Sequence, residues 1–237
     1  MKHQTYTSCL VGGSSHCERM TSPRQSQQHR IYLLSPKQRI VFVAWKVRTM
    51  YEQGKASMVV MEMRRHNNSL LGIAETKWIQ TGQFRLSIGE LLLHSGHTHN
   101  RAPHTEGIGF MLSRQVEKAL IGWQPVSSRL MTAIFRTKQK GYLFDWSCAH
   151  TVEASDEVND QFYERLKGVL GSNRPERELT ILMGDMNTKI GNCNIGYAVM
   201  GTHGIGNMNN DGERFADFCA EQKTGDRRVR VSTQKST

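Results

Sequence analysis

Two carboxylates, each closing an apolar run, are the residues best suited to chemistry in this 237-residue chain. Leu70-Leu-Gly-Ile-Ala-Glu75 ends in Glu75. Leu179-Thr-Ile-Leu-Met-Gly-Asp185-Met-Asn187 ends in Asp185, with an amide two residues further on. In extended backbone, residues i and i+2 project from the same face. Asp185 and Asn187 are therefore expected side by side at the mouth of a buried strand. If the two strands are neighbours, Glu75 and Asp185 meet at one sheet edge. Mg²⁺, or Mn²⁺ in its stead, favours such a site: one or two carboxylates, several waters and the phosphate oxygens of a substrate. The ion would polarise the phosphoryl group and stabilise the leaving oxygen. The pattern suggests a metal-assisted phosphodiesterase. A carboxylate at a strand end is also commonly no more than a solvated loop residue, so spacing alone leaves both readings open.

The elements that must hold these residues alternate in type. A strand is expected at Ile40-Val-Phe-Val-Ala-Trp45, then a helix from Met50 to His66 and a buried strand over 69–75. Short β runs follow at Ser87–His94, Gly107–Ser113, Arg129–Thr137 and Tyr142–Cys148. Val158, Phe162, Leu166 and Val169 recur at helical spacing within Asp156–Leu170. A Gly/Asn-rich loop over Gly191–Gly212 precedes a short helix, Glu213–Glu221. Strands interleaved with helices imply an α/β layered fold. The length suits one domain. Three regions are expected: a disordered or unrelated basic leader over 1–38, the folded domain over 39–222, and a basic unstructured tail over 223–237.

Composition narrows the setting. The five cysteines are scattered and form no C-x-x-C, which suits a reducing compartment rather than a disulfide framework. No apolar run reaches the length of a membrane span, and the N-terminal residues lack a signal peptide's apolar core. The expectation is an intracellular protein, nuclear or cytoplasmic, with no membrane partner. The net charge of +10 sits mainly at the ends: +5 over residues 1–39 and +4 over 223–237, leaving +1 between. Basic ends attract phosphate without reading sequence, and equally serve as solvated tails. His94, His97, His99 and His104 lie close in sequence, but at no zinc spacing; a hairpin turn is expected there. Trp45, Trp78, Trp123 and Trp146 are expected in core or edge packing.

The wording around both carboxylates adds a resemblance. Met63-Arg-Arg-His-Asn-Asn-Ser-Leu-Leu-Gly-Ile-Ala-Glu75-Thr-Lys-Trp78 resembles the second motif of the endonuclease/exonuclease/phosphatase superfamily, and Ile181-Leu-Met-Gly-Asp185-Met-Asn187 resembles its G-D-x-N motif. More narrowly, the chain is similar to the endonuclease domain of RTE-type non-LTR retrotransposons. The similarity includes Trp45-Lys-Val-Arg-Thr-Met-Tyr-Glu, Ala102-Pro-His-Thr-Glu-Gly-Ile-Gly-Phe110 and Met200-Gly-Thr-His-Gly-Ile-Gly-Asn-Met-Asn-Asn-Asp-Gly-Glu-Arg-Phe-Ala-Asp217, spanning roughly 39–222. It implies a four-layered α/β sandwich, two mixed β-sheets flanked by helices, incomplete at its C-terminal end. It implies Mg²⁺-dependent cleavage of DNA. Glu75 would bind the metal. Asp185 would orient or deprotonate the attacking water and contribute to the metal site. Asn187 would hold Asp185 and the phosphate. Asn207, Asn209 and Asn210 would lie near the DNA.

Three departures from the family pattern bear on activity. Lys46 stands where an amide is usual, in W-N-V-R-T-M. Cys148 stands in the place of a tyrosine. The final Asp-His motif is absent, and the similarity stops near Gln222. Loss of one positioned acid–base or charge-stabilising group costs roughly 10²–10⁴ in rate. The expected protein is a degenerate endonuclease with weak or absent hydrolysis. The alternative is a non-catalytic nucleic-acid-binding or interaction fragment. A working Mg²⁺ endonuclease and another phosphoesterase of the superfamily are further readings, the last fitting the quoted blocks least.

Overall fold

The computed structural model describes residues 40–52, 54–97, 104–136, 143–150, 155–171, 179–186, 188–191, 206–223 and 228–233. The leader expected over 1–38 lies outside them.

Strands β1 (Phe42–Lys46), β2 (Leu70–Ala74), β3 (Thr81–Arg85), β4 (Leu91–Ser95) and β5 (Ile108–Leu112) form one five-stranded sheet, ordered β1-β2-β5-β4-β3. Its β1–β2 pair is parallel and the rest antiparallel. Strands β6 (Leu120–Ser127), β7 (Leu130–Arg136), β8 (Leu143–His150), β9 (Leu179–Asp185) and β10 (Arg228–Thr233) form a second, ordered β10-β9-β8-β7-β6. Here β8, β9 and β10 run parallel, and β6 to β8 run antiparallel. Helices α1 (Lys55–Arg65), α3 (Asp156–Gly171) and α4 (Asn210–Lys223) and a single turn, α2 (Arg114–Glu117), complete the fold.

Period-two alternation explains why the central strands are apolar throughout. Leu70 of β2, Leu91 and Leu93 of β4 and Ile108, Phe110 and Leu112 of β5 point inward. They meet Met131, Ala133 and Phe135 of β7 and Met183 of β9 from the other sheet. The intervening residues Leu71, Ile73, Leu92 and Met111 point outward, onto Val59, Val60 and Met63 of α1. On the far side, Leu130 and Leu182 pack on Phe162, Leu166 and Leu170 of α3 and Phe215 and Phe218 of α4. A strand buried on both faces has no solvent face to make polar. The result is four layers, helix–sheet–sheet–helix, as expected.

The structure departs from the sequence reading at four elements. Helix α1 begins at Lys55, after Gly54 in left-handed backbone, so residues 50–52 are loop. The run expected over Ser87–His94 is one arm of a hairpin, β3–β4, turning at Gly89 with φ of 111°. Strand β6 was not expected: Gly122 and Pro125 interrupt it, and its pairing with β7 slips at both places. The tail expected to be unstructured contains β10, which pairs in parallel with β9 from Arg228↔Leu179 to Thr233↔Gly184. Arg-Val-Arg-Val-Ser-Thr alternates polar and β-branched residues, the pattern of a strand with one dry face.

Among the described residues no helix is long and apolar enough to cross a membrane. Phe110 sits wholly buried between the sheets. Phe110→Ala is expected to lower the unfolding free energy by about 3–5 kcal/mol, read from urea midpoints. A loss under about 1 kcal/mol would contradict this account of the core.

Candidate active site

The ends of three strands build the site. In β1–β2, Lys46 pairs with Ala74, so the residue after each strand leaves the sheet at the same level. The Val47 amide donates to the Ala74 carbonyl (3.1 Å), which extends that pairing by one step. Glu75 follows directly. Strand β9 belongs to the other sheet and delivers Asp185 at its last position. The condition posed from sequence, that the two strands are neighbours in one sheet, is not met: β2 and β9 belong to different sheets. The two carboxylates face each other across the sandwich, because β1 and β2 pack over β9.

Lys46 joins them. Its Nζ lies 3.1 Å from Glu75 Oε1 and 3.2 Å from Asp185 Oδ2. The three side chains are 34%, 22% and 15% exposed, respectively, so water screens the cluster only in part. Burial alone would lower the Lys46 pKa. The Asp185 charge, with hydrogen bonds to both carboxylates and the Glu75 charge, outweighs it and raises the pKa above 10.5.

The backbone around Glu75 is held in an unusual shape. Glu75 and Lys77 adopt left-handed φ angles of 59° and 60°, uncommon for residues with side chains. Thr76 between them is fully buried. Its amide donates to the Gly107 carbonyl (2.9 Å), and its carbonyl accepts from the Met50 amide (2.9 Å). Gly107 must be glycine here: its φ is 114°, and a Cβ would stand 2.4 Å from Thr76 Oγ1. This clamp directs Glu75 toward Lys46.

Other site candidates fall into several places. Asn187 lies outside the described residues. Cys148 of β8 pairs with Met183 and Met131, two positions before His150, which pairs with Asp185. Asn209 caps α4: its Oδ1 accepts from the Gly212 amide (2.8 Å) and the Lys189 amide (2.9 Å). That oxygen ties the helix to the chain leaving β9. Asn207 and Asn210 flank it and are exposed. Arg214 anchors the same helix start through Asp156 (2.6 Å), Asp160 (3.1 Å) and Asp211 (3.2 Å).

The histidines disperse. His94 packs edge-on against Trp78 and Phe84, and burial pushes its pKa down. His97 Nε2 lies 3.7 Å from Glu106 Oε2. His104 Nδ1 meets the Lys77 carbonyl at 2.9 Å, and His99 lies outside the described residues. Trp45 and Trp78 pack on the outer core of the first sheet, and Trp123 on the central core. The side chain of Trp146 lies outside the described residues.

A bridging divalent ion would sit about 2.0–2.1 Å from its oxygen ligands. In this arrangement the ammonium of Lys46 already stands between both carboxylates, where such an ion would have to sit. The residues as arranged do not fit a metal.

Lys46→Met would leave two carboxylates facing each other. A stability loss of about 1 kcal/mol at neutral pH is expected, small because solvent screens the partly exposed cluster. Since folding raises the Lys46 pKa, the wild-type advantage is complete below about 10.5 and fades as pH rises through the higher folded value. Urea titrations of both proteins at about pH 7, 9 and 12 check this. An advantage that does not shrink between the last two would contradict it.

No family model matches the chain. It is 30% identical over 175 residues to craniofacial development protein 2 of Tragulus javanicus, covering 74% of this chain and 29% of the relative. The same protein of Bos taurus is also 30% identical over 175 residues, with 28% of the relative covered. The chain therefore spans less than a third of the curated relatives it matches. Among solved structures, the AP endonuclease LMAP of Leishmania major superposes with a TM-score of 0.50 at 13% identity, covering 77% of this chain and 66% of that one. The chain thus has the endonuclease/exonuclease/phosphatase fold, and most of its length is similar to a segment of craniofacial development protein 2.

Proposed function

We propose that this chain is a retroelement-derived DNA endonuclease fold whose phosphodiester hydrolysis is weak or absent, and that it keeps affinity for nucleic acid. The observation that carries this reading is the Lys46 ammonium held between Glu75 and Asp185. By the resemblance, Glu75 would bind Mg²⁺ (or Mn²⁺) and Asp185 would orient or deprotonate the attacking water. Here the Asp185 oxygen faces a cation that is itself a proton donor. To act as a base, Asp185 would first have to give up that contact. To bind a metal, Glu75 would have to give up the same partner.

Affinity for nucleic acid rests on different residues. Of the net charge of +10, +9 lies in residues 1–39 and 223–237. Counterion release makes such binding fall steeply with salt and ignore sequence. The alternative, a fragment that binds nucleic acid and never hydrolysed it in this form, shares this affinity and differs only in residual chemistry.

Nicking of supercoiled plasmid in Mg²⁺ or Mn²⁺ separates them. Wild type is expected within about tenfold of the Asp185→Ala background, set against the 10²–10⁴ that one intact catalytic group commonly contributes. Nicking about 10³-fold above that background would show a working enzyme and overturn the reading. Wild type measurably above that background favours weak residual hydrolysis; wild type indistinguishable from it is the limit of absent hydrolysis, where the two readings coincide.

A further inference from the structure

The loops following β1 and β2 carry an exposed aromatic that the core does not use. Tyr51 is 69% exposed. Its ring meets the ring of exposed His104 edge-on, with centroids 5.0 Å apart. His104 is held in turn through Nδ1 at the Lys77 carbonyl (2.9 Å). The Tyr51 amide donates to Thr49 Oγ1 (3.1 Å), and the Met50 amide beside it to the Thr76 carbonyl (2.9 Å). The ring is thereby placed one residue from the strand-end loop that presents Glu75. Arg48 precedes Tyr51 by three residues, and Lys77 is the residue whose carbonyl holds His104; both are at left-handed φ (63° and 60°), and Arg48 is exposed.

We infer that Tyr51 and His104, on loops that also carry Arg48 and Lys77, form a platform for an unpaired nucleobase of a single-stranded nucleic acid. This rests on the nucleic-acid reading above and specifies its ligand. Arg48 and Lys77, on the same loops, supply positive charge that attracts a phosphate. An exposed ring fixed by its neighbours loses little freedom when a base stacks on it. Every base offers a π-face, so stacking tolerates sequence and sugar type alike. A duplex hides those faces in its own stack. The platform therefore selects strands with free bases, DNA and RNA equally.

Fluorescence anisotropy on the full chain tests this with four probes: oligo(dT), oligo(rU), an abasic strand of the same length, and a duplex. Wild type is expected to bind oligo(dT) and oligo(rU) equally and about tenfold more tightly than the abasic strand. Tyr51→Ala should bring oligo(dT) down to the abasic level and leave the abasic and duplex affinities unchanged. Tyr51→Phe should keep most of the preference, and Arg48→Ala/Lys77→Ala should weaken oligo(dT) and the abasic strand alike. A preference for bases that survives Tyr51→Ala overturns the platform and leaves the nucleic-acid reading standing. Failure of wild type to bind any probe at low salt overturns that reading, and the platform with it.

Discussion

One ammonium between two carboxylates organises the mouth of this sandwich. Lys46 and Glu75 come from one sheet and Asp185 from the other, so the cluster ties the two sheets together where their apolar interface ends. Two carboxylates presented across that gap would repel each other without a cation. A divalent ion is one solution, and a lysine is another with different consequences. The lysine is covalently attached, is present at every concentration, and brings protons instead of open coordination positions. It holds the two carboxylates together with a cation that belongs to the chain itself.

The surroundings are built as firmly as the centre. Thr76 is buried and bonded on both sides, to Gly107 and Met50, and forces Glu75 and Lys77 into left-handed backbone. Asn209 and Arg214 fix the start of α4 against α3 and the exit of β9. Strained backbone persists only where neighbours over-determine it. The clamp also shapes the loops that carry Tyr51, Lys77 and His104. Most of the chain's net positive charge lies in its two ends.

Legibility in the sequence followed burial. Strands β2, β5 and β9 read clearly because burial on both faces makes them continuous apolar runs. The weak elements are those where one rule opposed another. Strand β3, Thr-Gly-Gln-Phe-Arg, is largely exposed and carries no apolar alternation. Strand β6 contains Gly122 and Pro125, both strand breakers, and survives as an edge with slipped register. In β10 the alternation was present, but its arginines gave it the composition of a solvated tail. Helix α4 starts three residues before the expected Glu213, because Asn209 supplies a cap that composition did not announce.

Residue types and periodicity alone determined that Glu75 and Asp185 stand at strand ends and that helices and strands interleave along the chain; the family resemblance, not periodicity, marked Lys46 as standing where an amide is usual. These are local properties: side-chain direction in a strand repeats every two residues whatever the strand pairs with. Only the tertiary structure decided that the two carboxylates belong to opposite sheets and that a single ammonium reaches both. Contacts across a sandwich depend on how two sheets are stacked and aligned. Pairing between residues 46, 75 and 185 leaves no periodic trace in the chain, because nothing between them repeats.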